Sequence, residues 1–277
     1  MPELAEVDFY RKRWHLAAVG QAVTRVRAHA AKKIFREAPA TTIRRALTGA
    51  TLVDSTAAAK QMVFRFDNGS WLGVHLGMTG QLTAAPPGHR ADKHDHLILD
   101  TTKHALVFTD PRMFGGVRFH AGPEAPDWWT KIAPALTSAA FTKTALSDFL
   151  RRRARAPIKA VLLMQERFPG IGNWMADEIL WRAQIHPAQP AGSLLPPEVS
   201  QLYREIRTVC RNAMKNIAGA GDYLPHDLNV GIPDTWLFNH RWRDGGTCPR
   251  SGVPLERAEI GGRTSCWSPV RQILRPS

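Results

Sequence analysis

The sequence predicts an α+β protein of two domains, an N-terminal helix plus β-sandwich followed by a helical domain that ends in a β-hairpin. Three observations lead there. From Ala22 to about His120 apolar and polar residues alternate at a period of two. From Phe141 to Ile217 the apolar residues recur three and four apart, and Pro123, Pro126 and Pro134 interrupt the chain between the two patterns. A chain of 277 residues that is 44% hydrophobic supports one or two domains with a real core. The expected divisions are a first domain at 1–120, a linker at 121–135, a helical domain with its loop at 136–235 and a terminal hairpin at 236–277.

Each element has its own signal. Leu4, Val7, Tyr10 and Trp14 lie three or four apart with Arg11, Lys12 and Arg13 among them, which predicts an amphipathic helix starting almost at the first residue. Met62, Phe64 and Phe66 alternate with Val63 and Arg65, and Asp67-Asn68-Gly69 supplies a turn before 71–76, which predicts a hairpin. Segments 96–100 and 105–109 form a second strand pair, and 117–119 a further strand. Four helices are predicted at 141–152, 158–166, 174–183 and 197–217, separated by Pro157, Pro169-Gly170 and His186-Pro187. After Gly219 the chain is rich in Gly, Pro, Trp and Arg without a helical period, so loops and a hairpin are expected there.

Charge narrows the function. Lys and Arg number 37 against 24 Asp and Glu, a surplus of 13 that favours a polyanionic partner. The surplus is spread, with 17 basic and 10 acidic residues in 1–120 and 20 and 14 in 121–277, so one long basic surface is expected and not a basic tail. Cys210, Cys248 and Cys266 are too few and too unevenly spaced for a disulfide scaffold. No apolar run approaches the roughly 18 residues of a membrane helix, and the acidic, amphipathic start MPELAEVDFY is unlike a secretory signal. A cytoplasmic protein with reduced thiols is expected.

The start of the chain carries potential chemistry. Initiator Met is usually removed before a small residue or a proline, and its removal would expose the secondary amine of Pro2. An α-amine has a reference pKa near 8, so a useful fraction is neutral and nucleophilic at cellular pH. Glu3 and Glu6 lie within one helical turn of it. Such an amine can attack an electrophilic sugar carbon to give a Schiff base, with a carboxyl group as general acid. Proline at a first helical position and acids in a first turn are also ordinary helix-start features.

Further segments decide between these readings. MPELAEV at 1–7, Lys60, HLGMTG at 75–80, KHDH at 93–96, TDPRMFG at 109–115, IK at 158–159, PGIGNWMADEIL at 169–180 and IHP at 185–187 occur in order along most of the chain. In this the sequence closely resembles the bacterial formamidopyrimidine-DNA glycosylase and endonuclease VIII family. The resemblance implies a base-excision repair enzyme, a bifunctional DNA glycosylase and AP lyase acting as a monomer on double-stranded DNA with damaged bases or abasic sites. It makes the first domain catalytic and the central helices a helix-two-turn-helix element. It implies that Pro2 attacks C1′ of an extruded nucleotide while Glu3 protonates the opening sugar or the leaving group, and that Lys60 and Arg263 serve the two eliminations that follow. Glu6 and Glu178 are expected to support the site. His75, His94, Arg112, Lys159 and Asn173 are expected on DNA, with Lys60, Arg112, Lys159 and Arg263 along one cleft. Met78, Arg112 and Phe114 are implied to fill the void left by the flipped base, a step that costs a few kcal/mol in duplex DNA. Asn173 also stands where a helix N-cap belongs.

The sequence departs from the family in three places. Members commonly end in a four-cysteine zinc hairpin, and the corresponding residues here are Cys248, Ser251, Ser268 and Arg271. Hydroxyls and a guanidinium are not tetrahedral zinc ligands, so a zincless finger without any cofactor is expected, packed with help from Trp242 and Trp267. A site built from Cys248, Cys266 and His240 is the alternative. The loop from Ala218 to Trp236 matches no family pattern, and Met175 stands where a tyrosine is frequent. Oxidised purines such as 8-oxoguanine and formamidopyrimidines are the favoured substrates. An endonuclease VIII-like preference for oxidised pyrimidines or abasic sites stays open, as does a non-catalytic damage binder, although the presence of Pro2, Glu3 and Lys60 speaks against the binder.

Overall fold

The computed structural model describes residues 1–29, 33–35 and 37–276. The chain divides into two compact units, residues 1–132 with 218–228, and residues 133–217 with 229–277. The architecture is the α+β one expected from the sequence, with one difference in bookkeeping along the chain. The loop 218–228, placed by sequence in the helical block 136–235, groups with the first unit. The reason is a buried lysine: Lys12 Nζ donates to the carbonyls of Gly219 and Gly221, both at 2.8 Å.

The first unit runs α1 (Leu4–Ala18), β1 (Arg25–Ala28), α2 (Ala40–Leu47), β2 (Leu52–Ala58), β3 (Gln61–Phe66), β4 (Ser70–His75), β5 (Gln81–Ala85), β6 (Asp95–Asp100), β7 (Ala105–Thr109), β8 (Gly116–Ala121) and α3 (Asp127–Thr130). The strands form two antiparallel sheets, ordered β1-β6-β7-β5 and β2-β3-β4-β8. The hairpin at Asp67-Asn68-Gly69 and the pair β6–β7 stand where the alternation predicted them. Helix α2 was missed, because the period-two reading ran across Ala40, Ile43 and Leu47, whose three-four spacing buries one face.

Helix α1 closes the sandwich through Trp14. Its ring lies 5.1 Å from that of Phe64 on β3, and its Nε1 donates to the Thr83 carbonyl on β5, so one side chain touches both sheets. Burying that ring alone is worth about 2–3 kcal/mol by transfer. The expected linker is not wholly irregular: in α3, Trp128 covers Gly73 of β4, where a Cβ would stand 2.5 Å from the ring.

In the second unit are α4 (Lys143–Arg152), α5 (Ile158–Leu162), α6 (Asn173–Ala183), α7 (Pro196–Ala213) and the hairpin strands β9 (Glu256–Ile260) and β10 (Arg263–Trp267). Thr142 caps α4 by accepting from Ala145 N, and Glu198 anchors the start of α7 by accepting from Leu195 N at 2.7 Å. Helix α5 stops at Leu162, four residues short of the expected end. Phe141, Phe149 and Phe168 meet edge to face and Leu202, Ile206 and Val209 of α7 are buried, which supplies the apolar core the spacing predicted. No helix among the described residues is long and apolar enough to cross a membrane.

Candidate active site

The first turn of α1 is held by its own carboxylates. Glu3 occupies the N-cap, 2% exposed, and its N–H donates to Glu6 Oε2 at 2.7 Å. Pro2 precedes it, half-buried. Glu3 and Glu6 form a reciprocal capping box, the Glu3 side chain accepting from the Glu6 backbone N–H, so the first turn fixes both carboxylates beside Pro2. Lys60 sits in the two-residue turn between β2 and β3, after Ala59 in a left-handed backbone conformation (φ 55°), and is buried. The turn brings its charge close to His75, whose neighbour across the ladder is Gln61. Burial and then the Lys60 charge push the His75 pKa down, so the ring is neutral at pH 7. His75 Nδ1 accepts from Gly77 N at 3.2 Å, which leaves the proton on Nε2, the arrangement that can donate to a phosphate oxygen. His94 lies half-buried in the turn before β6, and its carbonyl accepts from Asp110 N.

Two loops of the same unit bring Met78, Arg112 and Phe114 together. Gly77 is packed so closely against the Phe114–Gly115 backbone that a Cβ would stand 2.4 Å from it. Asp110, fully buried, bolts the loops together: Oδ1 accepts from Thr79 Oγ1 at 2.7 Å and Oδ2 from Gly115 N at 2.7 Å. The bolted loops then hold large apolar side chains in solvent, with Met78 41% and Phe114 53% exposed. The Arg112 guanidinium stacks 4.8 Å from the Phe114 ring centroid. Beside them is a surface cleft of about 320 Å³ lined by Gln61, His75, Phe114 and Arg118, among others.

The second unit holds the remaining predicted residues, and here the structure corrects two of them. Lys159 is not on a DNA-facing surface: it is fully buried, its Nζ donating to the Asn173 carbonyl at 2.7 Å and pairing with Asp177. A buried cation needs such partners more than it needs solvent. Asn173 is the first helical residue of α6 and not its N-cap, which is Gly172. Its Nδ2 donates to the Thr264 carbonyl on β10 at 2.9 Å. Glu178 is fully buried and its pKa is raised by burial. Its carboxylate accepts from Arg182 Nε at 2.7 Å and from Phe238 N at 3.2 Å, fixing the 3₁₀ turn Leu237–His240 against α6. Arg263 is exposed at the start of β10, immediately after Gly261 and Gly262, both left-handed, which make the tight hairpin turn.

The hairpin's donor set does not fit zinc. Cys248 Sγ accepts from Trp181 Nε1 at 3.3 Å, and Trp181, Leu237, Cys248 and Cys266 form one apolar cluster. Burial alone would raise the Cys248 thiol, but hydrogen bonds from Ser251, Trp181 and backbone amides outweigh it and bring the pKa down to about 7. Burial pushes Cys266 up to about 11. The guanidinium groups of Arg250 and Arg271 lie over the Trp181 ring, at 4.7 and 5.8 Å. No group of three or more His, Cys, Asp or Glu among the described residues is placed to hold a metal ion. His240 instead donates from Nε2 to the Asp234 carbonyl. Of the two tryptophans expected to pack the finger, Trp267 is buried against His186 and Trp242 is 56% exposed. Trp181, which the sequence reading did not single out, takes the central place. Asp110, Asp177 and Lys12 were missed as well. Asp110 and Asp177 lie inside quoted motifs, but a buried aspartate has no signature that separates it from a surface one.

Comparison with known proteins places these features in a family. Residues 1–117 match the formamidopyrimidine-DNA glycosylase N-terminal domain and residues 132–222 the formamidopyrimidine-DNA glycosylase H2TH domain. The chain is 36% identical over 278 residues to a formamidopyrimidine-DNA glycosylase of Roseiflexus sp. (strain RS-1), covering 98% of this chain and 100% of the relative. It is similar to the Lactococcus lactis Fpg (MutM) solved with N7-benzyl-Fapy-dG containing DNA, at a TM-score of 0.85 and 26% identity over 98% of this chain and 100% of that one. A complex of the Lactococcus lactis Fpg with abasic site containing DNA gives a TM-score of 0.84 at 26% identity, covering 98% and 99%. The chain therefore belongs to the formamidopyrimidine-DNA glycosylase family, base-excision repair enzymes that are both DNA glycosylases and AP lyases.

Proposed function

We propose that this chain removes oxidised purines from double-stranded DNA and cleaves the abasic site left behind, with Pro2 as nucleophile. The observation that carries the assignment of roles is the buried Glu3 at the start of α1, held by Glu6 next to the half-buried Pro2. That placement supplies a nucleophile and a proton donor within one turn. Once Met1 is removed, the Pro2 amine bonds to C1′ as the bond from C1′ to the base breaks, and Glu3 delivers the proton that leaves with the base or enters the opening sugar. The resulting iminium acidifies C2′. Loss of a C2′ proton expels the 3′ phosphate, a second elimination expels the 5′ phosphate, and water hydrolyses the imine to restore the amine.

Lys60 serves the first elimination. His75 and His94 face the phosphates, His75 as a neutral donor through Nε2. Met78, Arg112 and Phe114 fill the gap left by the extruded nucleotide, and their exposure on bolted loops supports that role, since apolar wedges are what holds an unstacked step open. Arg263 clamps a phosphate near the lesion, as a guanidinium of very high pKa does more readily than it donates a proton. Lys159 has no direct part. The relative's name, formamidopyrimidine-DNA glycosylase, and the neighbour's complex with N7-benzyl-Fapy-dG containing DNA support the purine-lesion reading, and the enzyme works as a cytoplasmic monomer.

No step in this reading runs through a metal: the hairpin's thiols are packed in the Trp181 cluster, and the serines and arginine at the other positions are not zinc ligands. Stoichiometric zinc in the purified protein by elemental analysis would overturn that part of the reading. Borohydride reduction with abasic-site DNA tests the rest. A covalent adduct is expected with the wild type and a much weaker one with Pro2→Gly, whose primary amine can still form an imine. No adduct in the wild type, or an undiminished one in a Pro2→Gly, Lys60→Ala chain, would remove the mechanism. A panel of duplexes carrying single oxidised bases sets the lesion preference.

A further inference from the structure

The most heavily partnered buried carboxylate among the described residues takes no part in the reaction above. Asp177, on α6, is 1% exposed. Its Oδ1 pairs with Lys159, and its Oδ2 accepts from Arg241 Nε at 3.0 Å, from Arg241 Nη2 and from Cys266 N at 3.2 Å. Burying a carboxylate without such donors costs several kcal/mol, and two cations buried beside it would be stranded in its absence. The network reaches further: Lys159 also binds the Asn173 carbonyl, and Asn173 Nδ2 binds the Thr264 carbonyl.

The geometry is that of a ladder rung made by a helix. Asn173 and Asp177 are one turn apart on α6 and hold Thr264 O and Cys266 N, the alternate positions at which an edge strand offers its backbone groups on one side. Gly261, at the hairpin turn, rests on Ala160 of α5, where a Cβ would stand 2.6 Å from the alanine Cβ. The hairpin is thus held at three places within a few residues of Arg263, two on β10 and one in its turn. The apolar cluster of Trp181, Leu237, Cys248 and Cys266 binds the base of the hairpin, and it is non-directional. The ladder with β9 sets the register of β10, so what directional bonds from α6 add is the placement of the hairpin on the helix and with it the aim of Arg263.

We propose that Asp177, with Lys159 and Arg241 as its counter-ions, is the positioning residue for Arg263, and that this ion cluster does for the hairpin what four metal ligands would do. The proposal rests on the reading of Arg263 as a phosphate clamp.

The test is a double-mutant cycle on the full chain, read as the single-turnover rate of strand cleavage at an abasic site, with Arg263→Ala, Asp177→Asn and the two combined. Arg263→Ala is expected to slow cleavage about ten- to hundredfold, the range for losing a hydrogen bond to a charged group. Asp177→Asn is expected to slow it by a similar factor, and the double variant to be no slower than Arg263→Ala alone. A residue that merely holds the fold would slow the Arg263→Ala background by the same factor as the wild type, and such multiplicative losses would overturn the proposal while leaving Arg263 in place. If Arg263→Ala cleaves as fast as the wild type, both the clamp and its positioning fall, whereas the Pro2 adduct is judged separately by borohydride trapping. Should Asp177→Asn not fold, Arg241→Gln, which keeps the Lys159–Asp177 pair, carries the same cycle with the same two outcomes.

Discussion

Two buried aspartates, one in each unit, do similar work by different chemistry. Asp110 joins two loops of the β unit using only neutral donors: a threonine hydroxyl and the backbone amides of Gly115 and Arg112. Asp177 joins a helix to a hairpin using a lysine, an arginine and one backbone amide. The difference is what remains when the carboxylate is lost. Around Asp110 the leftover groups are dipoles, which water can solvate once a loop opens. Around Asp177 they are two buried positive charges. The loops at Asp110 therefore hold their shape at modest risk, and the hairpin at Asp177 depends on one side chain much as a metal finger depends on its ion.

The largest effect expected from this contrast is on stability. Asp177→Ala should cost about 3–5 kcal/mol, the range for removing one partner of a buried ion pair, seen as a lower urea midpoint. Asp110→Ala should cost less, about 2–3 kcal/mol, since it strands neutral donors. Equal losses would erase the distinction between the two regions. If the loops Asp110 ties serve base extrusion, as proposed, Asp110→Ala should also slow removal of an intact damaged base more than it slows cleavage at a preformed abasic site. Comparing the two substrates in single turnover checks this.

Gly77→Ala probes the same loop pair without touching a charge. The residue has φ +61°, and a Cβ would meet the Phe114 and Gly115 backbone at 2.4 Å. A cost of about 1–3 kcal/mol is expected from a side chain in a sparsely populated backbone region, with excision falling alongside it. A variant as stable as the parent would mean that the loops are held by Asp110 alone.

The smallest effect concerns pH. Burial, followed by the Lys60 charge, depresses the His75 pKa below 6.5. Protons then bind the unfolded chain more tightly than the folded one, so the stability contributed by this group is fully present above pH 6.5. It is lost as the pH falls below that value toward the folded pKa. His75→Gln should accordingly show a smaller drop in urea midpoint between pH 7 and pH 5 than the parent. An identical drop would place the acid sensitivity elsewhere.

What could be read from the sequence was what depends on local pattern. Alternation at Met62, Phe64 and Phe66 set a hairpin, three-four spacing set the helices of the second unit, and the ordered motifs from MPELAEV to IHP set the family. Pattern also misled. Its period of two concealed α2, and Lys159, expected on DNA from the family resemblance, is instead buried and paired with Asp177. The expectation that Trp242 and Trp267 would pack the finger was half right, since the ring at the centre belongs to Trp181, far away in the chain.

Residue type and spacing alone were enough for the two-domain α+β plan, the surplus of positive charge, the proline and two glutamates at the first residues, and a terminal segment with one cysteine at the four positions where the family resemblance implies zinc ligands. Each of these is a property of residue type and spacing, so it is present before the chain folds. Which charges face solvent and which are consumed inside emerges once the chain is folded. Lys159 and Arg241 neutralise Asp177, Lys12 holds the 218–228 loop, and Arg263 is left exposed at the tip of the hairpin. Whether a cation binds DNA or holds the protein together depends on how far it stands from water and which carboxylate or carbonyl it meets. Those partners lie up to 209 residues away along the chain, as Lys12 and Gly221 do, so no local reading can supply them.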